Sequence, residues 1–497
     1  MEVQEKINKD FTNKRQNGVY STPEKTAKFM VSLVTKYITS DSLILDPCVG
    51  EGIFIKYLLK SGVDSKNIYS YDINKDVVNE IKHKYSINAY TKDFLLNTSQ
   101  LFNIIIGNPP YKSRRNNEYF KNNKLELEEK FNDIGLYNMY SLFTVEAINR
   151  LEPDGIVCFI VEDAFMTNRY YKRFRKFILD TCFIEDLILA PRKLFHGVKA
   201  DVNTVILVLR KKSNLINSEI IFEQERSHTI GMIGRCLSED EYTNPNRKQE
   251  IKQITFRKMP DYKFFIDIPL KLISIITNAE TSFGDICTGG AGISTGNDKK
   301  YLRSRKEVID NKNWVGFYKS GQRTPYYYET EYFIEKDFKK YSTSDNNFIV
   351  RNEQFFFKRG ITCSSVGRKF TAALLPEGNL FGVNANFFFK SENDLLYNLG
   401  FLNSKLVIFI CRKFLARSNI IATSFIREIP YILPTEKEKV RVIEQVQKII
   451  MKLKLDKSST IEVEQSIIDE TIFNLYQINL DLQQEILDFY KHILDRV

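Results

Sequence analysis

A group of four residues in the first quarter of the chain could do chemistry together. Residues 103–113 read NIIIGNPPYKS, a β-branched run that ends on Gly107, Asn108, Pro109, Pro110 and Tyr111. The two prolines remove N–H donors and fix φ, so the loop is stiff and its carbonyls remain acceptors. The side-chain oxygen of Asn108 and the backbone oxygen of Pro109 could converge on one –NH2 group. Such a pair holds both amino protons and turns the nitrogen lone pair toward an electrophile. Tyr111 offers a ring face on which a planar base can stack. The same four residues also suit a polar strand-to-loop turn with a packed tyrosine.

Three features precede this loop, each at the end of an apolar run. LILDPCVGEGIF (43–54) is a buried strand, then Asp46, then a turn in which Gly50 and Gly52 let the backbone approach a ligand. Any strand-helix turn of an α/β protein, or a relative of the dinucleotide fingerprint, reads similarly. Cys48 follows Pro47 inside that turn and is expected to be a packed small residue. YSYDI places Asp72 at the next strand end, where a carboxylate can accept both hydrogen bonds of a ribose diol or simply cap a helix. Asp93 and Phe94 end a third run: the carboxylate can receive an exocyclic amino group and the ring can cover a base, or the ring can belong to the core.

These residues need a scaffold that brings strand ends together. Runs at 43–47, 68–73, 88–94, 103–108, 155–162, 184–190 and 204–210 alternate with helical patterns. That alternation predicts an α/β fold with a doubly wound, mostly parallel sheet, which binds ligands at the carboxyl ends of its strands. A helix is expected over 21–38, with Thr22 as cap, Pro23 in the first turn, and Phe29, Met30, Leu33, Val34 and Tyr37 on one face. We read residues 1–240 as the catalytic domain and the polar stretch 241–282 as a junction. Residues 283–433 form a second, mixed α+β domain, and 434–497 a helical tail. Thr435 and Glu438 make a capping box there, followed by Val442, Ile443, Val446, Ile449, Ile450 and Leu453 at helical spacing.

At 497 residues the chain is long enough for two or three cores. Its seven scattered cysteines point to reduced thiols in the cytoplasm, and its four dispersed histidines give no zinc motif, so no metal is expected. Neither a signal peptide nor an apolar run of roughly 18 residues is present, so a soluble protein without a membrane role is expected. A net charge of +10 permits a polyanionic partner. Two basic clusters in the second half could hold phosphates or read base edges: Lys299, Lys300, Arg303 and Arg305, and Arg359, Arg368 and Lys369. Each residue in them could equally be part of a solvated basic face.

Taken in order, GVYSTPEKTAKFMVSLV, LILDPCVGEGIF, YDI, DF and GNPPY resemble the amino-group DNA methyltransferases of the TaqI-like gamma class. Those enzymes methylate N6 of adenine and carry a target-recognition domain after the catalytic sheet. The resemblance covers roughly the first 210 residues, by way of 136–166 and 194–211. It implies S-adenosyl-L-methionine as cofactor, with Thr22 beside it and Asp46, Gly50 and Gly52 near its methionine moiety. Asp72 and Ile73 would lie at the ribose, Asp93 and Phe94 around the adenine, and Asn108 between cofactor and substrate. Phe195 matches the family's aromatic that sandwiches an extruded base opposite Tyr111, although HGVKA behind it lacks the prototype's basic residue. Double-stranded DNA is the implied substrate, with a separate restriction endonuclease or defence-system subunit as partner. Rival readings are a methyltransferase of RNA or of a protein glutamine amide, and a non-catalytic DNA-specificity subunit.

Overall fold

The computed structural model describes residues 21–492, apart from 116, 193, 196–202, 214–217, 246–247, 309–310, 320–323, 365–368 and 416–420. The chain divides into two compact units, Met1–Asp267 and Ile268–Val497. That division falls inside the stretch read as a junction.

In the first unit, an eight-stranded sheet is flanked by helices. Its strands are β1 (Ile44–Asp46), β2 (Ile68–Asp72), β3 (Asn88–Thr91), β4 (Phe102–Gly107), β5 (Leu151–Glu162), β6 (Cys182–Leu189), β7 (Thr204–Lys211) and β8 (Met232–Arg235). Helices α1 (Glu24–Thr35), α2 (Ile53–Lys60), α3 (Lys75–Tyr85), α4 (Met139–Asn149) and α5 (Lys172–Thr181) belong to the same unit. The strand order is β3-β2-β1-β4-β5-β7-β6-β8. The pairings from β3 through β5 are parallel, as is β6 with β8, whereas β7 runs antiparallel to both β5 and β6. All seven expected strands are present. Their unbroken apolar character follows from burial on both faces of the sheet. The reversed β7 carries no local signal, because TVILVLR is buried in either direction. Chain order departs leftward from β1 and returns on its right at β4, which puts the switch point, and the crevice, between those two strands.

The polar stretch after β7 is built into this unit. Gln253 is fully buried, accepting from Ile184 N at 2.7 Å and donating to Cys182 O at 2.9 Å along β6. Glu225, also fully buried, holds Lys212 Nζ at 2.8 Å and Arg257 Nε at 2.6 Å. Tyr242 stacks flat on Phe29 of α1, ring centroids 4.7 Å apart.

In the second unit lie two four-stranded sheets. One has the order β10 (Arg303–Ser304), β12 (Tyr332–Glu335), β11 (Trp314–Tyr318), β15 (Leu380–Phe381). The other has β14 (Ala372–Leu375), β13 (Gly360–Cys363), β16 (Ala385–Phe388), β9 (Thr288–Gly289). Helices α6 (Glu392–Asn403), α7 (Lys405–Ile410), α8 (Glu436–Leu455), α9 (Glu462–Leu475) and α10 (Leu480–Lys491) complete it. Helix α8 starts on the Thr435–Glu438 capping box and buries all six expected apolar residues. Among the described residues no single helix is long and apolar enough to cross a membrane.

Glu225→Ala would strand the buried Lys212 ammonium without its counter-charge. We expect a loss of about 3–5 kcal/mol, seen in urea unfolding as a lower midpoint for the first unit. A midpoint within error of wild type would show that the cluster is not a fastener.

Candidate active site

The carboxyl ends of β1, β2 and β4 bring the expected residues to the switch point. Asp46 ends β1 almost wholly buried, with Oδ1 accepting from Cys48 N at 3.2 Å and Oδ2 without a hydrogen-bond partner among the described residues. Burial pushes its carboxyl up to about 8, with a further push from Asp72. Gly107 ends β4 beside it; a Cβ there would lie 3.2 Å from Asp46 Oδ1 and 3.3 Å from Pro47 Cδ. The missing side chain is what allows the two strand ends to close together.

The two glycines of the turn have different jobs. Gly50 has φ +46 and a Cβ on it would meet only Cys48 O, at 4.0 Å, so this backbone faces open space. Gly52 has φ +74, and a Cβ on it would strike Ile81 and Tyr85 of α3. Its constraint is helix packing. Gly50 N donates to Asp72 Oδ2 at 3.3 Å, and Asn74 N to Asp72 Oδ1 at 2.9 Å. Burial raises the Asp72 carboxyl despite those donors. Ile73, next along, is 68% exposed.

Asn108 is tied to both neighbouring motifs. Its Nδ2 donates to Thr22 Oγ1 at 3.1 Å, which leaves the amide oxygen on the opposite side. The Cys48 thiol donates to the Asn108 backbone oxygen at 3.3 Å, and burial holds that thiol protonated. Thr22 is therefore not a helix cap: α1 starts after Pro23 with no side-chain cap, and the hydroxyl is spent on Asn108. Ser21 adds a second strap, donating to Glu51 of the glycine turn at 3.1 Å.

Pro109 and Pro110 lead Tyr111 into the protein, where it is 7% exposed and its hydroxyl donates to Ile160 O at 2.9 Å. Phe195 meets it edge to face, centroids 6.1 Å apart at 68°, and Tyr140 lies 6.3 Å away on another side. A base between two parallel ring faces needs about 7 Å, twice a carbon contact of roughly 3.5 Å, so the pair is closed as it stands. Glu162, at the end of β5, receives Asn138 Nδ2 at 3.2 Å, and burial with Asp163 beside it raises its carboxyl to about 7. No motif singles out Glu162 or Tyr140: Glu162 merely closes the apolar run of β5, and Tyr140 lies in a helix that is buried almost all round.

Asp93 receives the Tyr119 hydroxyl at 2.8 Å and Leu95 N at 2.9 Å. Phe94 is 1% exposed and packs on Phe143, 5.4 Å between centroids. Tyr119, which no motif marked, covers the carboxylate expected to face an amino group. In the second unit most of the expected DNA contacts have internal partners. Arg303 Nη1 donates to the carbonyls of Lys300 and Leu302, Arg359 pairs with Glu392 at 2.8 Å, and Lys300 approaches Asp345 at 3.6 Å. Arg305 lies 3.9 Å from Glu329, and Lys369 sits over the Tyr490 ring. Lys299 is exposed, and Arg368 lies outside the described residues.

Residues 32–195 match the family model of the Eco57I restriction-modification methylases. The chain is 29% identical over 320 residues to the type II methyltransferase M.HindII of Haemophilus influenzae, covering 59% of this chain and 56% of that one. Identity to M.HincII of the same species is 31% over 223 residues, covering 43% and 41%. The chain thus spans about half the length of these curated relatives. Among solved structures, the type IIL restriction-modification enzyme MmeI in complex with DNA superposes with a TM-score of 0.58 at 11% identity, covering 95% of this chain and 75% of that one. A DrdV–DNA complex gives 0.51 at 14%, covering 88% and 57%. At those identities the likeness establishes the fold.

The buried Asp46 makes stability depend on pH with a definite sign. An unfolded aspartate titrates near 4 and the folded one at about 8. Between these values the native state binds more protons, so stability falls as pH rises through that window. Asp46→Asn removes this contribution. Urea midpoints of variant and wild type, measured from pH 5 to pH 8, should move apart in the variant's favour; parallel curves would refute the assignment.

Proposed function

We infer that this chain, which through residues 32–195 belongs with the Eco57I restriction-modification methylases, is a site-specific DNA adenine-N6 methyltransferase. The reading extends to S-adenosyl-L-methionine as methyl donor, duplex DNA as substrate, a cytoplasmic setting, and a separate restriction endonuclease or defence subunit as partner. The observation that supports it most is the fixed placement of Asn108, whose side-chain amide donates to Thr22 and whose backbone oxygen accepts from Cys48 of the glycine turn.

The residues present fit such a cofactor. The open backbone at Gly50, the Asp72 carboxylate and the exposed Ile73 would line one end, with Thr22 and Asn108 at the other; Asp93 and Phe94 are assigned to the adenine, which requires Tyr119 to leave the Asp93 carboxylate. Bound there, S-adenosylmethionine supplies a sulfonium-activated methyl group. The rest is the work of the chain's own residues. Asn108 Oδ1 and the Pro109 carbonyl accept the two amino protons of adenine, which draws the lone pair out of conjugation with the ring. Tyr111 and Phe195 hold the two faces of the base once parted. A paired adenine cannot enter, so it must be rotated out of the duplex, at roughly a few kcal/mol, offset by stacking and those two hydrogen bonds. Catalysis then comes from positioning and from acceptors aimed at developing charge. Lys299 and the remaining cations of the second unit are proposed to contact DNA.

Asn108→Ala should lower methyl transfer at least about a hundredfold with calorimetric affinity for S-adenosylmethionine nearly unchanged. Asp72→Ala should chiefly weaken that affinity. Thr22→Val should reduce kcat about tenfold without changing KM for DNA, and Thr22→Ser should restore it; a deficit in KM for DNA alone would deny Thr22 its positioning role. The deciding assay offers labelled methyl donor with unmethylated duplex DNA, ribosomal RNA and a release factor. Label entering only the RNA or the protein would overturn the DNA reading.

A further inference from the structure

The chain does not stop being unusual after Tyr111. It continues as Lys112, Ser113, Arg114 and Arg115, and this segment is zipped to residues 137–139. Met139 N donates to Lys112 O at 2.9 Å and Arg114 N to Tyr137 O at 3.1 Å, with a β-bridge between Ser113 and Asn138. The zipper fixes Tyr137 beside the loop that carries the aromatic pocket. Gly135 has φ +92, and a Cβ on it would lie 2.4 Å from the Tyr137 ring. The local backbone is shaped to hold that ring in place.

Tyr170 lies against Tyr137, centroids 5.6 Å apart, and is 69% exposed. Its turn is rigid: Asn168 Oδ1 accepts from Tyr170 N at 3.0 Å, and the buried Arg175 guanidinium beneath donates to the carbonyls of Phe165, Asn168 and Asp261. Tyr137 is anchored edge to face on the buried Tyr171, 5.8 Å between centroids, which leaves Tyr170 and the outer part of the pair as apolar surface in water. Cations neighbour the two tyrosines along the chain. Arg115, Arg169 and Arg173 are exposed and make no ion pair with the described residues, while Arg114 has Glu128 at 3.6 Å and Lys172 has Asp261 at 2.6 Å. The acids facing this region, Glu128 and Asp261, are thus already matched.

We propose that Tyr137, Tyr170, Arg115 and Arg169 form a nucleic-acid platform on the catalytic unit, binding the DNA strand that carries the everted adenine. This rests on the methyltransferase reading and deepens it. The arginines hold phosphates beside the everted nucleotide, and the tyrosine pair covers the sugar or base face exposed by eversion. Aromatic faces interleaved with cations suit exposed bases and phosphates of any sequence. The platform therefore supplies affinity and register, and sequence choice is left to other contacts. Charge complementarity and continuity with the Tyr111 loop select a polyanion with planar bases over a protein partner.

The test uses full-length protein, unmethylated plasmid DNA and a short duplex of scrambled sequence. Arg115→Ala combined with Arg169→Ala should weaken duplex binding and reduce the slope of log Kd against log salt by about 2, one for each lost phosphate contact. Tyr170→Ala should raise KM for plasmid methylation about tenfold. Affinity for S-adenosylmethionine and thermal midpoint should stay at wild type in each case. Lys28→Ala combined with Lys60→Ala, exposed positions on α1 and α2, controls for net charge. Variants with wild-type salt slope and KM, or a control with an equal effect, would overturn the platform and leave the enzyme standing. A wild-type protein that methylates no DNA would instead sink the reading beneath it.

Discussion

Asn108 sits one residue past the end of β4, with Thr22 taking an amide proton and Cys48 bonding its backbone oxygen. Each bond is worth only about 1 kcal/mol net, so their importance is geometric. They join three stretches far apart in sequence: the entry to α1, the glycine turn after β1, and the Pro-Pro loop after β4. The join exists because β1 and β4 are neighbours in the sheet, and Gly107 lets their ends approach. Without that adjacency the four residues of the loop would be an ordinary turn.

The two prolines complete the constraint from within the chain. With φ fixed at both and no N–H to satisfy, the loop cannot relax toward internal hydrogen bonds. Tyr111 is then carried into the sheet, where Ile160 receives its hydroxyl. On the proposed reading the stiffness keeps the Asn108 and Pro109 acceptors aimed at one amino group, where a misplacement of about 1 Å can lose a hundredfold in rate.

The sequence made the strands legible because each is a short apolar run bounded by turn residues, and all seven runs fold as strands. The gathering of polar residues at their ends was legible for the same reason: in a parallel sheet, polar residues at the carboxyl ends have one place to go. What could not be read depended on distant partners. Thr22 has the composition of a cap, yet its hydroxyl goes to Asn108, 86 positions away. Gln253 and Tyr242 lie in a passage whose polarity suggests a linker, and both are buried, against β6 and α1. The insertion of β7 between β5 and β6 leaves no periodic trace. Arg303 and Arg359 read by type as candidate DNA contacts, and the carbonyl and carboxylate that they meet carry no signal beside them in the sequence. Local pattern reports burial and turn chemistry; it does not report which side chain reaches which.

Raised carboxyls are concentrated along one edge of the sheet. Asp46, Asp72 and Glu162 end β1, β2 and β5, and burial is the first cause of the shift in all three. Among the described residues Asp186, beside the bulge early in β6, and Asp469, in α9 of the second unit, are the exceptions. A scaffold selected for stability alone would gain by replacing such groups with apolar ones, because a buried carboxyl is either protonated or penalised. Retaining them at the strand ends that face the crevice, where a ligand can return the missing interactions, is the pattern of a binding site.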